Sequence, residues 1–135
     1  MRRITLLTLY MVLVVSSVAR GSPAHRTGVE VADSFSISGI KVDATAKSPR
    51  EARDLAIARG RALAWSTLFR RITNQQVWGT EPRLGENELI GLFLRTEADN
   101  ERRNTTRYVA DVTFHFNRAA VLRVLSRSNI SYRGR

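Results

Sequence analysis

The residues that could do chemistry in this chain are few: its serines, His115, and the aspartates Asp43 and Asp111. A serine nucleophile needs an adjacent base and a third group that orients the base. Serine, His115 and Asp43 or Asp111 fill those roles only if the strands carrying them lie side by side on one wet sheet face. No glycine-rich oxyanion loop or strained nucleophile turn accompanies them, so a solvated polar face is the simpler reading. Glu86 and Glu88 stand at a helix start, where acidic residues are expected without glycosidase chemistry. The chain has no cysteine, and His115 is its one histidine beyond the N-terminal lead-in, which excludes thiolate chemistry, disulfides and a soft-metal centre. The expectation is a protein that is not an enzyme, with no catalytic residue, no metal and no cofactor.

The elements that would position these groups centre on residues 48–72. Ser48-Pro49-Arg50-Glu51 reads as a serine N-cap, proline at the first helical position and a glutamate closing a capping box. Leu55, Ala58, Ala62, Trp65, Phe69 and Ile72 then recur at helical spacing and predict the buried face. Arg50, Arg53, Arg61 and Arg71 fall opposite, and Gly60 is placed toward solvent. A second apolar line, Ile57, Ala64 and Leu68, runs up one flank. Either residues 75–93 fold over it, or it docks a partner or a second copy of the chain.

Before this helix, residues 35–46 alternate as a half-buried strand, with Gly39 marking a bulge. Thr73-Asn74 predicts the helix end, with Asn74 in the left-handed conformation. A loop around Trp78 follows, then a short helix running into a strand over residues 86–94. Residues 95–103 and 107–116 form a hairpin, Asn117 caps a second long helix ended by Asn129, and Ile130 to Tyr132 add a last strand. That order predicts an α+β fold of ferredoxin-like split βαβ type (β-α-β-β-α-β), with two helices on one face of a mostly antiparallel sheet.

Met1-Arg2-Arg3, an apolar run from Ile4 to Val15 and the small residues after it read as a secretory signal peptide over residues 1–24, cut after Ala19 or Ala24. The run is shorter than the ~20 residues that span a bilayer, which makes an uncleaved anchor the minority reading. Residues 25–34 are a flexible lead-in, and 35–135 a single domain. The formal charge is +10, and twenty of the twenty-two basic residues are arginine. Such a charge draws a protein to anionic surfaces, although GC-rich coding alone also produces arginine excess.

The run Ile40-Lys41-Val42-Asp43-Ala44-Thr45-Ala46, with Ala52-Arg53, Ala62-Leu63-Ala64-Trp65 and Phe69-Arg70-Arg71-Ile72-Thr73, resembles an exported bacterial family known as domain of unknown function twenty sixty-six. Glu97, Arg107-Tyr108-x-Ala110, Val112 and Phe116-Asn117-Arg118 fit its second half. Most of these are packing and capping positions. The chain departs from the family pattern at Asn74, where glycine is common, and at Asn117, where aspartate is. The resemblance implies an envelope-associated protein of Gram-negative bacteria with no assigned activity.

The expected function is a non-enzymatic periplasmic module that contacts an envelope protein or an anionic surface. Its candidate contact residues are Lys41, Asp43, Asp111, Thr113 and His115 on the open sheet face and Arg53 and Arg61 on the helix. A small periplasmic hydrolase using the sheet face is the alternative. A nucleic-acid-binding domain is a further one only if the protein is not exported, because the aromatic residues of the best strand are placed toward the helices.

Overall fold

The computed structural model describes residues 34–134. The expected signal peptide, most of the expected lead-in and Arg135 lie outside the described residues. The described chain is a mixed α+β unit: β1 (Ser36–Thr45), α1 (Pro49–Ile72), a 3-10 turn (Gln75–Thr80), α2 (Glu86–Ile90), β2 (Phe93–Arg103), β3 (Arg107–Phe116) and α3 (Arg118–Arg127). The three strands form one antiparallel sheet in the order β1-β3-β2.

β3 is the central strand, and its strict alternation explains why. Tyr108, Ala110, Val112, Phe114 and Phe116 are all buried on the helix side, while Val109, Asp111, Thr113 and His115 face the open side. Gly39 sits at φ +71° where the register slips between Ile37 and Ile40. That bulge lets Phe35, Ile37 and Ile40 all reach the core despite their mismatched phase. The hairpin between β2 and β3 is closed by Asn104, whose side-chain oxygen accepts from the Thr106 and Arg107 amides.

α1 starts as expected: the Ser48 hydroxyl accepts from the Glu51 amide at 3.2 Å. Its buried face differs from the expected one. Ala52, Ala56, Gly60, Ala64, Leu68 and Ile72 form an i, i+4 line that is fully or almost fully buried, joined by Ile57, Trp65 and Phe69. Leu55 is 37 % exposed and Ala62 lies in solvent. The large side chains misdirected the assignment, because the face nearest the sheet is made of small ones. Gly60 is accordingly buried, not on the solvent side: a Cβ there would lie 2.8 Å from Phe114 Cζ and from Val42 Cγ1. Ile57, Ala64 and Leu68 belong to the core and leave no flank for docking a second copy. The 75–93 connection packs against a different edge, where Trp65 Nε1 donates to the Pro82 carbonyl and Ser66 Oγ to Glu81.

Two further local expectations change. Asn74 is extended (φ −79°), and Thr73 terminates α1 with its buried hydroxyl donating to the Phe69 carbonyl. Residues 130–134 form no strand. Asn129, at φ +54°, closes a Schellman motif in which the Ile130 amide donates to Leu125 O and the Asn129 amide to Ser126 O. The chain then turns to the end of α1, where the Arg133 amide donates to Ile72 O. The backbone donors that a fourth strand would have used are drawn off by these two helix ends.

Candidate functional site

The open face of the sheet carries a ladder of paired charges. The register sets Lys41 opposite Asp111, Asp43 opposite Val109 and Thr45 opposite Arg107 on β1 and β3. On the other side Glu97 faces Thr113 and Asp99 faces Asp111. Arg107 grips Asp43 in a fork, Nε to Oδ1 at 2.9 Å and Nη2 to Oδ2 at 2.5 Å. Lys41 Nζ donates to Asp111 Oδ1 at 3.1 Å, and Asn100 Nδ2 to Asp111 Oδ2 at 2.9 Å. Asn100 reaches Asp111 because it adopts φ +53° where β2 slips register between Asp99 and Arg102.

These contacts hold both carboxylates below their ordinary range. The Arg107 hydrogen bond is the main cause for Asp43, and the Asn100 and Lys41 hydrogen bonds for Asp111. Arg107 therefore does not present free positive charge to a ligand. The face sets Lys41, Arg95, Arg102 and Arg107 against Asp43, Glu97, Asp99 and Asp111 and is close to neutral.

Asp43, Asp111 and His115 do share this face, as expected, but they do not form one site. His115 lies four residues along β3 from Asp111, ~13 Å at strand rise. Its neighbours are two residues the sequence did not place beside it: Ser36 Oγ stands 2.8 Å from His115 Nδ1, and Glu97 Oε2 stands 3.4 Å from His115 Nε2. Strand pairing places Ser36 opposite His115. Glu97 also pairs with Arg95 at 3.0 Å, which divides its charge between two partners. Thr113 lies between Asp111 and His115 and is half-buried.

Arg53 and Arg61 belong to another surface. They lie on α1, which covers the opposite side of the sheet, and α1 carries six arginines against two carboxylates. The seven candidate residues thus split into a charge-balanced sheet face and a cationic helix. Among the described residues no three His, Asp or Glu side chains converge on a point that could hold a metal ion. No helix among them is long and apolar enough to cross a membrane.

No family model, curated protein or solved structure matches this chain.

Proposed function

We propose that this chain is a non-enzymatic module of the bacterial envelope, carried to the periplasm by its leader, that acts by contact with an envelope protein or an anionic surface. The observation that carries the reading is the segregation of charge: the sheet face balances its charges, with three direct ion pairs among them, whereas α1 keeps an excess of arginine. The helix side is then the surface that an anionic partner would seek. We read the fold as a ferredoxin-like split βαβ without its last strand, on the strength of the adjacent first and third strands and the β-α-β-β-α order. The test is fractionation of the tagged protein with crosslinking in living cells. A mature mass lacking the first 19 or 24 residues and one dominant crosslinked species support the proposal; an uncleaved cytoplasmic protein refutes it.

The Ser36–His115–Glu97 chain favours a second reading, a small hydrolase using the sheet face. It has the order nucleophile, base, carboxylate, with the two imidazole nitrogens exchanged relative to the usual serine triad and with Glu97 near Nε2 but not hydrogen-bonded to it. A fluorophosphonate probe that labels Ser36, and loses that labelling in His115→Ala, would establish it. Absence of labelling would remove it.

A further inference from the structure

The amino end of α1 opens onto a recess of about 400 Å³ lined by Ser48, Pro49, Arg50, Arg53, Arg103 and Tyr108. Three of these six residues are arginines, brought together from two elements: Arg50 and Arg53 from the first turns of α1, and Arg103 from the end of β2. Helix N-termini attract anions because their first N–H groups have no partner within the helix. In α1 proline supplies no N–H at the first position, the Glu51 amide is taken by Ser48 Oγ, and the Ala52 amide donates to Ser48 O. Among the described residues the Arg50 amide is the first-turn donor left for a ligand.

Beneath these groups lies an independent observation. Tyr108 is 0 % exposed, and its hydroxyl makes no hydrogen bond. A buried hydroxyl without a partner is costly and rare in a folded core. Glu101 and Arg53 lie near the hydroxyl, Glu101 favouring its protonated form and Arg53 opposing it. Burial, reinforced by Glu101, keeps the phenol above its ordinary pKa and therefore protonated as a donor.

We propose that this recess binds a phosphoryl group, with Arg50, Arg53 and Arg103 surrounding it, the Arg50 amide at the helix end and the Tyr108 hydroxyl donating from below. A phosphomonoester offers three strong acceptor oxygens and close to two negative charges, which matches this donor set in sign. The proposal deepens the anionic-surface reading, since the phosphoryl group belongs either to a lipid head group or to a soluble phosphoester. Glu101 is the competing anion, held near the same hydroxyl in the unliganded protein.

The test follows the amide resonances of the full chain during titration with inorganic phosphate at constant ionic strength. A parallel titration uses vesicles containing phosphatidic acid against vesicles of phosphatidylcholine alone. The expected result is a saturable shift of the Arg50 amide. Affinity should fall about tenfold in Arg53→Ala and in Arg103→Ala, the scale of one charge-assisted hydrogen bond. Tyr108→Phe should weaken it severalfold and Glu101→Gln strengthen it, while Arg83→Ala, an exposed arginine outside the recess, leaves it unchanged. Response to free phosphate assigns the soluble source, and response to phosphatidic acid alone assigns the lipid; both support the site. Vesicle binding that Arg53→Ala, Arg103→Ala and Tyr108→Phe reduce no more than Arg83→Ala overturns the site and leaves the general charge reading standing. Binding to neither probe overturns both.

Discussion

Gly60 of α1 lies directly against Phe114 of β3, so close that a single added methyl would stand 2.8 Å from the ring edge. Alanine normally stabilises a helix interior by about 1 kcal/mol over glycine. Here the added carbon must displace a fully buried ring and Val42, a cost of about 1 to 3 kcal/mol for overpacking. Gly60→Ala is expected to lower the urea midpoint. A raised midpoint would show that α1 can lift from the sheet at little cost.

The Arg107–Asp43 fork predicts a sign for the acid limb of stability. Asp43 titrates below its ordinary value of 3.8 in the folded protein, so the unfolded chain takes up the proton first as pH falls. The contribution is fully present above about pH 4 and is lost as pH drops through the lower folded value. Asp43→Asn should flatten that part of the profile and leave neutral pH little changed, because the pair is exposed to solvent. Denaturation midpoints at pH 3 and pH 7 for both proteins check this.

Leu68→Glu distinguishes a core residue from a docking residue. Leu68 is 0 % exposed, and a carboxylate there would be buried without a partner. The substitution should unfold the domain at neutral pH, read as loss of near-ultraviolet circular dichroism. A folded variant that merely lost a binding partner would return the flank to the surface.

Asn129 is expected to tolerate glycine and resist alanine. Its left-handed backbone closes the α3 end, and a side chain with Cβ but no local hydrogen bonding costs about 1 kcal/mol there. Asn129→Ala should lower the midpoint by that amount, whereas Asn129→Gly should match or exceed the native value. Equal values for the two variants would remove the conformational argument.

Much of this architecture was legible locally. The Ser48 cap, the Gly39 bulge, the Asn104 turn and the Tyr108–Phe116 alternation each follow from residues within a few positions of one another. What failed was long-range. The inward line Ala52–Ala56–Gly60–Ala64 carries too little hydrophobicity to outvote Leu55 and Ala62, and its meaning appears only with Phe114 above it. Ser36 and Glu97 were out of reach for a related reason. Both come beside His115 only through the pairing of β1 and β2 with β3, which no local pattern reveals. The fourth strand was lost to competition, since Asn129 and Ile72 claim the backbone of the segment first.

The shape of β2 bears on how the molecule behaves in a crowd. An outer strand eleven residues long is ordinarily a template on which another extended chain can lay itself down. β2 breaks its own regularity twice, near Leu94 and again at Asn100, and fills the interval with arginine and carboxylate. An incoming strand would find matching hydrogen-bond spacing over only a few residues before meeting a kink and a line of charge. Sheet growth from molecule to molecule is therefore disfavoured at this rim.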